Sequence, residues 1–507
     1  MEAISSFLQP ATASSFFLFL ATMIIPVVIR SIVCQISASI ISMWPKGIAV
    51  TRELILHLLG IRFGLDNEPT VVVQDNAVAA DTLLRRADDF CDRPAGMGGT
   101  SVVSGGRLHT ITTQPYGPVW VALRRNLTSE AFHPVRGLER AAAHRERALA
   151  KLIGDISGAA DGGVVNVQPC LYAALLSLNM ATCFGDDVGV ESEKMEDIRE
   201  ALEEFRRSLN GYHVFSTFQT LAKLVYWGRW RKLVNSRKRV VELFLPLIRA
   251  CKERRRLGHP QNMKSPSYVD TLLELNVPVA GTGHPKQRQK LSEDEVAGLV
   301  LEYMGAGTET IVALLEWTLA NLVVQPDVQS RLRRETVAAG GEACEYLRAV
   351  VMESLRRHPP FRLMRRQMNR DTVIGNMLVA RGTVVNIALE EIGRDSKIWT
   401  YPEKFIPERF MPGGEGAGVR LSMGSSTADA GKVMMMPFGA GPRKCPGMGN
   451  AILLLEYFLR NLVTAFEWHQ VDGQEVDLQP HYGFFTIMDN PLRARVMQLT
   501  TVNATDV

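Results

Sequence analysis

The sequence predicts a mainly α-helical protein with a small β region and one apolar segment at its N-terminus. Apolar residues recur at helical spacing through most of the chain after Trp120. Residues 46–90 lack this long periodicity and mix short apolar runs with turn residues. With 507 residues, of which 46% are hydrophobic, the chain can bury a large core. No domain linker or internal repeat is visible, so we expect residues 61–507 to form a single domain.

The first thirty residues are predicted to enter a membrane. No Asp, Glu, Lys or Arg occurs between Glu2 and Arg30, and residues 16–29 are almost wholly apolar. With the residues before it, this run is long enough for a membrane span of about 20 residues. A cleaved signal peptide is the alternative, although no convincing small-residue cleavage site follows. We expect an uncleaved anchor over residues 1–30, and a linker with the start of the body over residues 31–60.

Charge and cysteine content place the body in the cytosol. Positive charge follows the apolar run at Arg30, Lys46 and Arg52, and the positive-inside rule puts that side in the cytosol. The seven cysteines are odd in number and form no C-x-x-C pair, which argues against a disulfide framework or a structural zinc site.

A net charge of only +4 gives no reason to expect a nucleic-acid partner. The single basic and aromatic segment, residues 226–232, suits a membrane surface equally well.

The clearest helix begins at a capping box formed by Ser292 and Glu295 and runs on toward Val324. Gly305 and Gly307 lie in its middle, where each costs about 1 kcal/mol of helix propensity relative to alanine. Close approach of a ligand, or a local opening of the helix, would explain them. A tight helix crossing is the alternative explanation.

A glycine-rich loop over residues 437–449 leads into an apolar helix near the C-terminus. Cys445 stands in this loop, where a helix N-terminus and free backbone amides favour the thiolate. Arg443, two residues earlier, can pair with a carboxylate. A single cysteine in such a loop is otherwise a small buried hydrophobe.

The same loop resembles the heme-binding signature of the cytochrome P450 superfamily. The sequence as a whole is most similar to those of plant microsomal members. Five positions carry the resemblance: Phe438, Gly441, Arg443, Cys445 and Gly447. It implies the cytochrome P450 fold with one N-terminal membrane anchor helix, and heme b as cofactor. Cys445 would be the axial ligand of the iron, Arg443 would bind a propionate, and Phe438 would shield the sulfur. Thiolate ligation favours O–O cleavage, which explains the need for a cysteine.

A second resemblance concerns a buried triad. Glu353 and Arg356 match the family's ExxR pair, and Arg409 lies in a segment that matches PERF. Alone, such an i,i+3 pair is a surface ion pair that contributes about 0.3 kcal/mol to stability. The resemblance implies a structural role in the core for all three residues.

Further heme contacts are implied on the propionate side. Trp120 and Arg124 match WxxxR, a pair on one helical face that binds a propionate. The family usually has another arginine or histidine after a proline, where this chain reads Met-Arg-Arg-Gln over residues 364–367. Arg366 is the candidate substitute.

Gly307, one of the two glycines of the long helix, lies in a segment that resembles the family's oxygen-activating motif. Ala306, Gly307, Glu309 and Thr310 match it, whereas Ile311 stands where a second hydroxyl is common. The resemblance implies that Thr310 steadies bound dioxygen and that Glu309 supplies protons through water.

The function implied is that of a heme-thiolate monooxygenase in the endoplasmic reticulum membrane, hydroxylating a small, mostly apolar substrate. Electrons would come from NADPH through a separate NADPH-cytochrome P450 reductase, since no glycine-rich dinucleotide fingerprint follows a strand. Two alternatives stay open: a heme-thiolate lyase or isomerase that needs no reductase, and a membrane heme carrier without turnover. Family topology places the substrate wall near residues 97–104, Met304, residues 361–364 and residues 483–486.

Overall fold

The computed structural model describes residues 48–50 and 70–499, apart from 95–96, 105, 134–135, 161–162, 187–191, 213, 218, 258–265, 280–286, 341 and 422–432. The expected anchor at residues 1–30 and most of the expected linker at 31–60 lie outside the described residues. The domain boundaries at residues 30 and 60 therefore stay predictions.

Helices dominate the described part of the chain, which confirms the mainly α prediction. In chain order they are α1 (Asn76–Ala80), α2 (Gly99–Val103), α3 (Pro118–Asn126), α4 (Arg136–Ala160), α5 (Val167–Phe184), α6 (Ser192–Ser208), α7 (Val214–Thr217), α8 (Gln219–Val225), α9 (Trp227–Leu257), α10 (Tyr268–Glu274), α11 (Glu293–Val324), α12 (Pro326–Ala338), α13 (Glu345–Arg357), α14 (Leu389–Gly393) and α15 (Met448–Ala465). Wider π-type turns at Asp81–Arg85 and Leu127–Ala131 and 3₁₀ turns at Ala87–Phe90 and Pro407–Phe410 supplement them.

The β region is small and split among several short sheets, as predicted. Its strands are β1 (Ile48–Val50), β2 (Thr70–Val73), β3 (Val164–Asn166), β4 (Asn276–Pro278), β5 (Arg288–Lys290), β6 (Leu363–Gln367), β7 (Thr372–Ile374), β8 (Met377–Val379), β9 (Val384–Ala388), β10 (Phe466–His469), β11 (Pro480–Tyr482), β12 (Thr486–Met488) and β13 (Arg493–Gln498). The largest sheet has the order β1-β2-β9-β6, with β2 parallel to β9 and β6 antiparallel to β9 at its edge. Another has the order β10-β13-β3. The remaining pairs are the hairpins β4-β5, β7-β8 and β11-β12.

Helix α11 forms the centre of the molecule. The predicted capping box is present: Ser292 Oγ accepts from the N–H of Glu295 (3.3 Å), and Glu295 Oε2 accepts from the N–H of Ser292 (2.7 Å). The helix ends at Val324, as the sequence indicated. Because it is apolar on nearly every face, it packs against α5, α9, α13 and α15 and is enclosed by them.

Two described helices, α5 and α11, are long and apolar enough to cross a membrane. In each, more than half of the most apolar window is buried inside the protein: 61% in α5 and 72% in α11. Their apolar surface is therefore used in the core, as expected for helices that are hydrophobic all round.

Glu353, Arg356 and Arg409 meet in the core, each at most 5% exposed. Arg356 donates from Nε and Nη2 to the two carboxylate oxygens of Glu353 (2.7 and 2.8 Å), and Arg409 Nε donates to Glu353 Oε1 (3.4 Å). Arg356 also donates to the carbonyls of Gly393 and Pro402 (2.8 and 2.9 Å). Its remaining donors are thus satisfied by backbone, which a charge in the core requires.

Candidate active site

A cavity of about 400 Å³ lies between the middle of α11 and the loop that precedes α15. Most residues predicted for the site line it: Trp120, Arg124, Ala306, Gly307, Glu309, Thr310, Phe438, Arg443, Cys445 and Gly447. Gly441 and Arg366 lie behind this lining. The cavity therefore brings together motifs that are separated by more than three hundred positions in the chain.

The predicted substrate wall is partly correct. Residues 97–100 line the cavity, and so do Phe361, Leu363 and Met364. Met304 is buried in the core and does not line the cavity, whereas the neighbouring Tyr303 does. The predicted wall at residues 483–486 contributes Phe484 and Phe485, whose rings meet Phe361 edge-on and tilted at centroid separations of 6.0 and 5.1 Å.

The glycines of the loop before α15 are required by its backbone. Gly439 and Gly441 have φ of +68° and +72°, which favour glycine. A Cβ on Gly441 would lie 2.4 Å from the carbonyl oxygen of Leu83, so a side chain there would push the loop away from the π-type turn. The N–H of Cys445 donates to the carbonyl of Phe438 (3.0 Å), which closes the turn around the cysteine.

Burial raises the pKa of the Cys445 thiol, although a backbone hydrogen bond at Gly447 and the charges of Arg124 and Lys444 act in the opposite direction. The thiolate-favouring effect expected from the helix N-terminus is therefore outweighed by desolvation. A metal cation at the sulfur would reverse this balance, because a coordinating thiol loses its proton.

Helix α11 is continuous past the cavity, so its glycines do not open the helical ladder. A Cβ on Gly307 would lie 3.2 Å from Nδ2 of Asn179 on α5, which supports the tight-crossing explanation for this position. Gly305 has no neighbour within 4 Å of its Cβ position and lines the cavity, which fits close approach of a ligand. The hydroxyl of Thr310 donates to the carbonyl of Ala306 (2.7 Å).

Glu309 is buried beside the cavity in an ion pair that the sequence did not reveal. Arg206 Nε of α6 lies 3.2 Å from Glu309 Oε1, and Tyr172 of α5 hydrogen-bonds to the same carboxyl. Burial raises the pKa of Glu309 to about 7, while Arg206 and the Tyr172 hydrogen bond lower it. Such a carboxyl exchanges its proton near neutral pH.

Four guanidinium groups gather at one side of the cavity: Arg93, Arg124, Arg366 and Arg443. Burial lowers the pKa of each, to about 9 for Arg93 and about 10 for Arg443, and repulsion among them lowers it further for Arg93, Arg366 and Arg443. Arg93 Nε is buried without a hydrogen-bond partner. Within the described residues, none of the four forms an ion pair with a carboxylate. Buried cations of this kind need an anionic ligand.

Glu302, one turn before Ala306 on α11, holds the loop that precedes α3. Its carboxylate accepts from the N–H groups of Ile111 and Thr112 (2.9 and 2.8 Å). The carbonyl of Ile111 in turn accepts from Trp120 Nε1 (3.1 Å) and Arg443 Nη1 (3.2 Å). The ring of Trp120 also lies under the Arg443 guanidinium, 4.7 Å from its centroid. The indole N–H of Trp120 therefore donates to the loop before α3 and helps to hold it in place.

Comparison with known proteins decides the family. Residues 60–495 match the family model for cytochrome P450. The chain is a cytochrome P450. It is 32% identical over 454 residues to cytochrome P450 89A9 of Arabidopsis thaliana, covering 86% of each protein. It is 29% identical over 457 residues to cytochrome P450 78A7 of the same plant, covering 86% of the chain and 80% of that relative. Cytochrome P450 78A11 of Oryza sativa subsp. japonica is 29% identical over 430 residues, covering 81% of the chain and 74% of that relative.

Cytochromes P450 are heme-thiolate monooxygenases, and the cavity of this one fits the heme group. The buried Cys445 sulfur, once deprotonated, is a ligand for an iron cation, and the four guanidinium groups suit two propionates. No local pattern pointed to Arg93, because it stands outside the motifs and only the fold places it beside Arg124 and Arg443.

Proposed function

We propose that this cytochrome P450 hydroxylates a small, mostly apolar organic compound with dioxygen and electrons from NADPH. The observation that carries the proposal is the placement of Cys445 and the pair Glu309 and Thr310 on the wall of one largely apolar cavity. A thiolate ligand on one element and a proton source on another are the two parts that oxygen activation needs.

Several residues would hold the heme, which when bound supplies the iron that activates dioxygen. Cys445 would bind the iron, and Phe438 would shield the sulfur from water. Arg93, Arg124 and Arg443, which line the cavity, would pair with the propionates, and Arg366 would add positive charge from behind them. Each charge-assisted contact would relieve the repulsion among these guanidinium groups.

Protons would reach the cavity through Glu309. Its pKa of about 7 lets it take up and release a proton at the pH of the cytosol. The hydroxyl of Thr310 would turn from the carbonyl of Ala306 to donate into the cavity. The apolar wall limits the entry of water and so keeps proton supply dependent on these two side chains.

Electrons would come from a separate NADPH-cytochrome P450 reductase, since the sequence has no dinucleotide fingerprint of its own. Residues 1–30 would anchor the protein in the endoplasmic reticulum membrane with the body in the cytosol. An exposed apolar group at the end of α8 and the start of α9 would add a lipid contact: Leu224, Val225, Tyr226 and Trp227 are 45 to 70% exposed.

NADPH oxidation in the presence of reductase tests the proposal. The full chain should bind heme, show the red-shifted carbon monoxide band of a thiolate-ligated iron, and oxidise NADPH when a spin-shifting compound is added. Turnover without NADPH would favour a lyase or isomerase instead. Bound heme with neither activity, across a broad compound screen, would favour a heme carrier.

A further inference from the structure

The cavity opens to solvent beside strand β6. Phe361 and Leu363 line the cavity and are also 38% and 39% exposed, so they stand at its mouth. Arg365, two residues along the same strand, also lines the cavity and is half-buried. A cationic side chain therefore borders the path between solvent and the interior.

The acidic groups of the cavity are already occupied. Glu309 pairs with Arg206, and Glu302 accepts three hydrogen bonds from the loop before α3, including one from the hydroxyl of Thr110 (2.6 Å). Neither carboxylate is within ion-pair distance of Arg365. Among the described residues, the cavity thus offers no acid that balances this charge.

Among the described residues, the other guanidinium groups on the wall have partners or an assigned role, and Arg365 has neither. Arg443 donates to three backbone carbonyls and Arg124 to one, and both belong with Arg93 and Arg366 to the group assigned to the propionates. In the described part of the chain, the guanidinium of Arg365 makes no hydrogen bond and no ion pair. Its backbone carbonyl accepts from the guanidinium groups of Arg93 and Arg366.

We propose that Arg365 binds the anionic end of an amphiphilic substrate, such as a carboxylate carried on an apolar body. This inference rests on the proposed function and narrows its substrate class. A bidentate guanidinium contact would hold the charged end at the mouth, where water still reaches it. The apolar body would then extend past Phe361, Phe484 and Phe485 toward Cys445. Oxidation is expected at the end of the substrate remote from the charge.

The test uses the heme-loaded full chain in phosphatidylcholine vesicles, which carry no net charge. The probes are ω-imidazolylalkanoates of increasing chain length and their methyl esters, since the imidazole binds the iron and reports binding through the Soret band. At one or more chain lengths the acid should bind at least about tenfold more tightly than its ester, the size expected for one charge-assisted pair. R365L should remove this preference, R365K should retain part of it, and R365E should reverse it.

Arg362 provides the matched control. It stands near the same mouth, but its charge is already balanced by Glu390 and Glu391 at 3.3 and 3.0 Å. R362L should therefore keep the preference for the acid.

Equal binding of acid and ester at every chain length, or a preference that survives R365L, would overturn the assignment of Arg365. Loss of heme from R365L would also overturn it, because Arg365 would then be a heme contact. A wild-type protein that lacks the thiolate carbon monoxide band, or whose iron binds no imidazole, would contradict the proposed function itself.

Discussion

At Cys445 the sulfur is buried, and desolvation raises the pKa of the thiol. A cation bound at the sulfur would offset this effect, because a coordinating thiol loses its proton. We expect Cys445→His to abolish the red-shifted carbon monoxide band of the reduced protein, because nitrogen ligation lacks the electron donation of a thiolate.

Cys344 is the control for that substitution. Its sulfur caps α13 by accepting from the N–H of Leu347 (3.4 Å), far from the cavity lining. C344S should retain the band. Survival of the band in C445H would show that another residue ligates the iron.

Thr310 presents a hydroxyl whose described hydrogen bond goes to the carbonyl of Ala306. Thr310→Ala should leave heme binding intact, since no buried partner loses a donor that it needs. It should divert electrons to peroxide, so that the ratio of product to NADPH oxidised falls several-fold, because one proton-transfer contact is lost.

Thr308 gives the comparison within the same turn of α11. Its hydroxyl accepts from Asn179 Nδ2 (2.9 Å), and Thr308 itself does not line the cavity. T308A should remain coupled. Measurement of peroxide and product together would separate the two outcomes, and tightly coupled turnover in T310A would refute the role of its hydroxyl.

Glu316, two turns beyond Glu309, is a buried carboxyl whose described hydrogen bond comes from the N–H of Leu492 (2.9 Å). Burial raises its pKa to about 7, above the unfolded value. The folded protein then holds a proton that the unfolded chain releases between about pH 4.5 and 7, so this group's contribution to stability is present at low pH and falls as pH rises through that window.

We therefore expect E316Q to weaken the loss of thermal stability between about pH 5 and pH 8, because the amide keeps the acceptor oxygen and has no proton to lose. Melting temperatures of the heme-loaded protein across this range would measure the effect. An unchanged pH dependence in E316Q would contradict a raised pKa at this residue.

At the scale of elements, α13 shows how a weak local pattern becomes a strong one through tertiary contacts. The pair Glu353 and Arg356 would be worth little on a surface, but the turn at Pro407–Phe410 brings Arg409 against it and encloses all three. Arg356 Nη1 reaches the carbonyl of Gly393 at the end of α14. The triad thus ties α13 to two segments that follow it in the chain.

Arg356→Leu should destabilise the protein by about 3 to 5 kcal/mol, because the buried Glu353 carboxylate would keep, among the described residues, only the N–H of Ile406 (2.8 Å) and the more distant Arg409 (3.4 Å) as partners. R357L is the matched control, since Arg357 pairs with the more exposed Glu403 and should cost about 1 kcal/mol or less. Thermal unfolding of both variants would measure the difference, and similar losses in the two would contradict a special role for the triad.

The whole molecule is expected to attach to a membrane by two contacts of different strength. The segment before Arg30 is long enough to span, whereas the exposed group from Leu224 to Trp227 can only lie in the interface. Deletion of residues 1–29 should move most of the protein from the microsomal pellet to the supernatant after a high-salt wash. The intact chain should remain in the pellet.

Residual pelleting of the truncated protein should disappear when Leu224 and Trp227 are both replaced by serine. A truncated protein that pellets as fully as the intact chain, with these serines present, would contradict the anchor. Spectra of the truncated protein would show in parallel that its heme site is unaffected.

The sequence by itself determined the mainly α class, the bounds of α11 and the family. These follow from local chemistry, because the capping box, the apolar periodicity and the spacing around Cys445 each lie within one element or loop. The family motifs in the sequence also identify five residues that line the cavity: Trp120, Arg124, Glu309, Thr310 and Cys445.

The tertiary structure alone decided the charge arrangement. Arg93, Arg366 and Arg443 come from three distant parts of the chain, and their shared burial exists only after folding. The same holds for the ion pair of Arg206 with Glu309. It holds also for Arg365 at the cavity mouth, whose guanidinium has no partner within the part of the chain that the structure describes. Coulomb energies depend on distance and desolvation, and neither is encoded in local spacing, so these residues carry no motif.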